Sequence, residues 1–206
     1  MIEPAAVALR AVRLAKVKKG DKALVIGAGI IGVLCAQFLK HAGASYVAIT
    51  ETNEARAKKA LKLGVCHEWF NATDEKLPEI FAEKTKNGFD VVLDCCGNSA
   101  ALTSAINFTK PGGNLMFVGV SMLPVTIPLI SGIMKEINMK GSIGYSAKDF
   151  DDTIYIAENN IVNLELFIDD IVSLEEVQSA FERLTSGEDD AIKILVDPKK
   201  RAILKL

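Results

Sequence analysis

The stretch that decides the fold is Ala23-Leu-Val-Ile-Gly-Ala-Gly-Ile-Ile-Gly32. Its first four residues predict a buried strand, and the apolar pattern after Gly32 predicts a helix. Gly27 permits a tight turn out of the strand, Gly29 lets a pyrophosphate approach the backbone, and Gly32 lets the helix pack closely on the strand. Glycines also collect at turns that bind nothing, but the strand-turn-helix context here favours a dinucleotide site at the start of the helix.

An acidic residue, Glu51, follows the second predicted strand, Tyr46-Val-Ala-Ile-Thr50. Its carboxylate can accept hydrogen bonds from ribose hydroxyls but would repel the 2′-phosphate of NADP, so the sequence predicts NAD. Two charges 4 Å apart interact by about 4 kcal/mol at a dielectric constant of 20. Arg56 could instead hold a 2′-phosphate, or cover the adenine face from a helix that starts at Asn53. The alternative for Glu51 is a solvated charge at the strand end.

Apolar strands and helices alternate along the first part of the chain, which predicts an α/β fold with a doubly wound parallel sheet of the Rossmann type. Two later strands are Phe89–Asp94 and Asn114–Val118. Ligands bind outside the carboxyl ends of such strands. We therefore expect Cys96-Gly-Asn98 and Val118-Gly-Val120 to face the same crevice, although both could be ordinary strand-to-helix turns.

The pattern changes beyond Gly119. Further strands are predicted at Val125–Ile130, Ile137–Ile143 and Ile192–Val196, and helices at Phe150–Asn159 and Ser173–Ser186. Pro128 suits an edge strand, so we expect two copies of the chain to associate through the sheet edge at Val125–Ile130, as a homodimer or tetramer. A weak break near 159–163 divides the chain into a nucleotide-binding domain, 1–160, and a C-terminal segment, 161–206.

The composition excludes several classes of protein. The chain has 206 residues, is 50% apolar and carries a formal charge of −2, so it lacks the electrostatic footprint of a nucleic-acid-binding or membrane-surface protein. No signal peptide or spanning segment is predicted, and we expect a cytoplasmic location. The cysteines, at 35, 66, 95 and 96, form no C-x-x-C pair and are interpreted as small core residues. No complete metal site is expected.

Several spaced motifs resemble the zinc-type medium-chain dehydrogenases, in particular the sorbitol, butanediol and threonine dehydrogenases. They are Ile2-Glu-Pro4, the segment 19–32, Asp90-Val-Val-Leu-Asp-Cys-Cys-Gly97, Pro111-Gly-Gly-Asn-Leu-Met-Phe-Val-Gly-Val120 and Lys140-Gly-Ser-Ile143. The resemblance covers nearly the whole chain. It implies a cofactor-binding domain without the GroES-like domain that carries most zinc ligands in that family, and a C-terminal segment that would complete the missing catalytic domain.

The same resemblance implies roles for individual residues. Glu3 matches a position that can approach the zinc of a full-length parent, although before Pro4 it could simply start a helix. Tyr145 would lie beside the carboxamide end of the cofactor. The complete set of expected cofactor contacts is Gly27, Gly29, Ile30, Ile31, Gly32, Glu51, Thr52, Arg56, Cys96, Val118, Gly119, Val120 and Tyr145.

The function implied for the parent is the oxidation of a secondary alcohol or polyol by hydride transfer to NAD, with this chain alone inactive. Two other classes have comparable loops. A stand-alone regulatory nucleotide-binding module could share the glycine loop and the later acid, but not the Glu-Pro start or Pro111-Gly-Gly113. An S-adenosylmethionine methyltransferase has a differently spaced loop. A comparison of NAD, NADP and S-adenosylmethionine as ligands would separate the three.

Overall fold

A six-stranded parallel sheet forms the centre of the molecule, in the order β3-β2-β1-β4-β5-β6. The computed structural model describes residues 1–186 and 190–200. The strands are β1 (Lys22–Ile26), β2 (Tyr46–Glu51), β3 (Glu68–Asn71), β4 (Phe89–Asp94), β5 (Thr109–Phe117) and β6 (Asn138–Gly141). From β1 the chain adds β2 and β3 outward on one side, and from β4 it adds β5 and β6 outward on the other side. The predicted doubly wound Rossmann fold is therefore confirmed.

Helices cover both faces of this sheet. They are α1 (Ile2–Leu14), α2 (Ile30–His41), α3 (Glu54–Lys62), α4 (Leu77–Thr85), α5 (Ser99–Phe108), α6 (Leu129–Met134) and α7 (Ala147–Glu158). Asn53 caps α3 as predicted, since its side chain accepts from the backbone N–H of Arg56 at 3.0 Å. Ser146 and Asp149 form a capping box at the start of α7.

The alternating side chains of β1 show how the sheet is buried. Ala23 and Val25 belong to the apolar cluster that contains Phe38 of α2, and Leu24 belongs to the cluster on the opposite face, with Phe81 of α4. Each large apolar side chain that is fully buried stabilises the fold by about 1.5–3 kcal/mol. Burial on both faces explains why the strands read as unbroken apolar runs.

One predicted strand is wrong. Residues 125–128 form no strand, and α6 begins at Leu129. The neighbouring edge of β5 is already paired with β6, and Pro128 has no N–H to donate to a ladder. The backbone N–H of Thr126 instead donates to the hydroxyl of Ser99 at 2.9 Å. The edge strand is therefore β6, at the centre of the predicted strand Ile137–Ile143.

Two further differences concern the other strands. The sequence predicted no element at β3, whose residues are half-buried or exposed and therefore carry little apolar signal. Strand β5 begins at Thr109, so that Pro111–Gly113 lies inside it, at an irregularity in its pairing with β4. Pro111-Gly-Gly113 therefore marks this irregularity, and the strand begins before the predicted start at Asn114.

The C-terminal part forms a small unit of its own. Strand β7 (Asp170–Val172) pairs in parallel with β8 (Ile194–Val196), and helix α8 (Val177–Ser186) lies between them in the chain. The predicted helix start at Ser173 is a 3-10 turn, Leu174–Glu176, whose capping box leads into α8. Residues 162, 164 and 167 still belong to the main apolar core, so the boundary at 160 remains a prediction.

Candidate dinucleotide-binding site

The three glycines of the loop after β1 differ in how much space a side chain would have. Gly27 has a φ of +101°, and a Cβ there would lie 2.7 Å from the Sγ of Cys96. A Cβ on Gly32 would lie 2.0 Å from the carbonyl oxygen of Gly27, so α2 packs directly on the turn. A Cβ on Gly29, the N-cap residue of α2, would meet no atom of the described residues within 4 Å. The protein's own packing therefore requires Gly27 and Gly32, and leaves the space beside Gly29 open.

The carboxylate of Glu51 lies against this loop. Its Oε2 accepts a hydrogen bond from the backbone N–H of Ala28 at 2.7 Å, and its Oε1 accepts from those of Thr52 at 2.7 Å and Asn53 at 2.9 Å. The neighbouring loop N–H, that of Gly27, donates to the carbonyl oxygen of Thr50 at 2.8 Å. One carboxylate thus connects the turn after β1 with the turn after β2.

A second carboxylate, that of Asp94 at the end of β4, organises the turn that follows its own strand. It is fully buried, and its side chain accepts from the backbone N–H groups of Cys96 at 3.1 Å and Gly97 at 3.0 Å. Burial raises the pKa of this carboxyl, although those two hydrogen bonds oppose the rise. We did not single out Asp94 in the sequence; its place at a strand end, directly before the expected contacts, was the available signal.

The turns after β4 and β5 touch each other. A Cβ on Gly119 would lie 2.3 Å from the nitrogen of Gly97, and the backbone N–H of Gly119 donates to the carbonyl oxygen of Asp94 at 2.8 Å. Gly119 is one of the expected cofactor contacts. The structure gives a reason for glycine at this position, since only glycine permits this contact between the two turns.

The turns after β1, β2 and β4 line a cavity of about 200 Å³ at the carboxyl ends of the strands. Gly27, Glu51, Thr52, Cys96 and Asn98 are among its lining residues. A larger cavity of about 660 Å³ adjoins it between α4 and α5 and shares Thr73 and Leu77 with it. The larger cavity includes none of the glycine loop, so we assign the candidate site to the smaller one.

The cysteines divide into two groups. Cys35 and Cys66 are buried, as predicted for small core residues, and Cys95 is half-buried. Cys96 is exposed, so its interpretation as a core residue is wrong, while its expected place in the crevice agrees with its lining of the cavity. Its Sγ lies 3.5 Å from the carbonyl oxygen of Ile26, and desolvation there raises the pKa of the thiol to about 12.

None of the remaining expected contacts lines the 200 Å³ cavity; they are Gly29, Ile30, Ile31, Gly32, Arg56, Val118, Gly119, Val120 and Tyr145. Ile30 and Ile31 are half-buried in the first turn of α2. Val118 is buried, whereas Val120 is exposed, and Tyr145 stacks on Phe150 with ring centroids 5.5 Å apart.

Arg56 and Glu3 were also expected at the site. Arg56 is not among the residues that line the 200 Å³ cavity; its Nη2 donates to the carbonyl oxygen of Leu184 in α8 at 3.2 Å. Glu3 is exposed in the first turn of α1. Within residues 1–186 and 190–200, no three histidine, cysteine, aspartate or glutamate side chains come together as a metal site. No helix of these described ranges is long and apolar enough to cross a bilayer.

The sheet order, the glycine loop at the start of α2 and the acid at the end of β2 define a Rossmann-type nucleotide-binding domain. The profile of the family described as zinc-binding dehydrogenase matches residues 31–159. The chain belongs to this family, which confirms the resemblance drawn from the motifs.

Individual relatives agree with this family. The chain is 36% identical over 200 residues to (R,R)-butanediol dehydrogenase of Neisseria gonorrhoeae, covering 96% of this chain and 56% of the relative. It is 29% identical to human sorbitol dehydrogenase over 202 residues, which again cover 96% of this chain and 56% of the relative. The crystal structure of 2R,3R-butanediol dehydrogenase from Bacillus subtilis superimposes with a TM-score of 0.85 at 32% identity, covering 96% of this chain and 56% of that one. The chain spans about half the length of these relatives.

Proposed function

We propose that this chain is the NAD-binding part of a dehydrogenase that oxidises a secondary alcohol or polyol. The observation that carries the proposal is the position of Glu51, whose carboxylate lies beside the glycine loop at the edge of the cavity. In Rossmann domains this is where an acid accepts hydrogen bonds from the adenosine ribose. The open space beside Gly29 supports the proposal, because a pyrophosphate needs that approach to the backbone.

Different residues would bind different parts of the cofactor. The backbone of Gly29, Ile30 and Ile31 would bind the pyrophosphate at the start of α2, and Glu51 with Thr52 would bind the ribose. Bound nicotinamide supplies the hydride acceptor, and the protein supplies its position. We assign that end of the crevice to the turns that carry Cys96 and Val118–Val120, with Tyr145 beside them.

Zinc does not fit the described residues, since a catalytic site needs three protein ligands and an open position. We therefore assign no zinc-dependent step to this chain and propose zinc only for a full-length protein, where Glu3 could approach it. The names of the relatives support a small alcohol or polyol as the substrate of that protein. For the isolated chain we propose NAD binding with negligible turnover, and a cytoplasmic location.

Calorimetric titration of the purified chain with NAD, NADP and S-adenosylmethionine tests this function. We expect saturable binding of NAD at one site per chain. Binding of S-adenosylmethionine in preference to both dinucleotides would contradict the proposal and indicate a methyltransferase. NAD binding without any dehydrogenase activity in the full-length protein would favour a regulatory module.

We also propose that two chains associate through β6. Of the strands that the structure describes, only β5 pairs with β6, so its other edge is open. Next to it, α6 exposes apolar side chains, with Ile130 at 66%, Ile133 at 59% and Met134 at 78%. An open edge beside an apolar patch favours pairing with a second copy about a two-fold axis.

A further inference from the structure

The side chain of Asp94 is fully buried at the end of β4. Among the described residues, its carboxylate accepts hydrogen bonds from backbone N–H groups only, those of Cys96 at 3.1 Å and Gly97 at 3.0 Å. A buried charge is costly in free energy, and two backbone donors offset only part of that cost. Carboxyl groups kept in such an environment are found preferentially at functional sites.

The main chain of the same residue holds the neighbouring turn. The carbonyl oxygen of Asp94 accepts from the backbone N–H groups of Val118 at 2.9 Å and Gly119 at 2.8 Å. Asp94 therefore binds the turn after β4 through its side chain and the turn after β5 through its carbonyl group.

The two turns are packed against each other without free space. Gly97 has a φ of +75°, and a Cβ on it would lie 2.8 Å from the carbonyl carbon of Gly119. A Cβ on Gly119 would in turn lie 2.6 Å from the nitrogen of Cys96. Because close-packed groups transmit a displacement, a shift of the turn after β4 also moves the turn after β5.

We propose that Asp94 is a positioning residue for the nicotinamide end of the cofactor: its carboxylate fixes the turns after β4 and β5 where the ring would lie. The proposal rests on the proposed NAD-binding function, which assigns these turns to nicotinamide and the glycine loop with Glu51 to the rest of the cofactor. Asp94 is not among the residues that line the 200 Å³ cavity, so it acts through the backbone of the turns.

ADP-ribose separates the two ends of the cofactor, because it retains the adenosine and the pyrophosphate but lacks nicotinamide. Calorimetric titrations with NAD and with ADP-ribose compare the wild-type chain with Asp94→Asn. Asparagine keeps the size of the side chain, but its amide N–H groups cannot accept a hydrogen bond from the turn. We expect the NAD affinity to fall at least about fivefold. The ADP-ribose affinity should change by less than about twofold.

Asp90→Asn is the matched control on the same strand. Asp90 lies near the other end of β4, where its carboxylate accepts from the backbone N–H of Lys22 at 2.7 Å and pairs with Lys110. This variant also removes a carboxylate that holds backbone, but far from the crevice. The ratio of the NAD and ADP-ribose affinities should therefore stay as in the wild type.

An unchanged ratio in the folded Asp94→Asn chain would overturn the proposal while NAD binding stands, because a purely structural role lowers both affinities equally. Asp94→Ser replaces this variant if circular dichroism shows that it does not fold. Nuclear magnetic resonance of the wild-type chain gives a second measurement. The amide resonances of Gly97 and Gly119 should differ between the NAD and ADP-ribose complexes, and identical resonances would also overturn the proposal. A wild-type chain that binds neither ligand would overturn the proposed function itself.

Discussion

The backbone N–H of Ala28 donates a hydrogen bond to the carboxylate of Glu51 at 2.7 Å. Ala28 lies in the glycine loop after β1, and Glu51 ends β2, so the contact joins the two turns that a dinucleotide would bridge. Because the carboxylate is held by backbone groups on both sides, its position does not depend on a ligand. We expect it to be ready for the ribose.

The first prediction concerns cofactor choice. NAD should bind at least about tenfold more tightly than NADP, because about 1.4 kcal/mol of repulsion between Glu51 and a 2′-phosphate is enough for that ratio. Glu51→Gln removes the charge and should reduce the difference between the NAD and NADP affinities, as measured by calorimetric titration of both cofactors. Glu54→Gln, an exposed residue three positions away, is the control and should keep the ratio. Equal affinities in the wild type would refute the role of Glu51.

The second prediction distinguishes the glycine that leaves space for the ligand, Gly29, from the glycine that the packing of the protein requires, Gly32. Gly29→Val should fold and lose NAD binding, since its side chain enters open space where the pyrophosphate would lie. Gly32→Val should unfold or lose several kcal/mol of stability, because its Cβ would overlap the carbonyl of Gly27. Circular dichroism and calorimetry distinguish the two effects. A folded Gly29→Val protein with unchanged NAD affinity would show that the loop is structural only.

The third prediction concerns acid stability. Asp149 of α7 accepts hydrogen bonds from Arg10 at 3.1 Å and Arg13 at 2.8 Å, which attaches α7 to α1. Burial alone would raise the pKa of this carboxyl, but hydrogen bonds from Ser146 and from both arginines outweigh it and hold the pKa well below its usual value. The stabilisation is therefore present above the unfolded-state pKa, about 3.9, and is lost as the pH falls further towards the folded-state value.

Urea denaturation between pH 7 and pH 3 measures this effect. Asp149→Asn should lower the free energy of unfolding at pH 7 by about 1–3 kcal/mol and flatten its fall at acidic pH. Asp151→Asn, an exposed residue on the same helix, should change neither. If wild type and Asp149→Asn lose stability in parallel down to pH 3, the attachment of α7 to α1 does not depend on this charge.

The fourth prediction tests the proposed dimer. Ile127 is partly buried against the core, so a charge there would disturb the fold itself. Ile133 is 59% exposed on α6 and is the better position. Light scattering should show a wild-type dimer and a folded Ile133→Lys monomer, since burying the lysine charge in the interface is unfavourable. Tyr155→Lys, at an exposed site on α7, should remain dimeric. A dimeric Ile133→Lys chain would exclude this interface.

Local sequence rules were sufficient to predict the first strand, the glycine loop and the helix start after Asn53. Apolar periodicity, the allowed φ of glycine and side-chain capping act over a few neighbouring residues, so Ala23–Gly32 predicts its own conformation. The family followed from such short motifs as well. Val125–Ile130 shows the limit of this reasoning, because an apolar segment becomes a strand only if a neighbouring edge is free, and β6 already occupies that edge.

Only the tertiary structure decided which distant groups meet. It brings Gly119 against Gly97 and turns Arg56 towards a carbonyl 128 positions away in the chain. Neither of these contacts has a local signature, because they depend on the order of the strands and on how the C-terminal unit docks. The sequence by itself therefore determined the kind of site, and long-range packing decided which side chains face it.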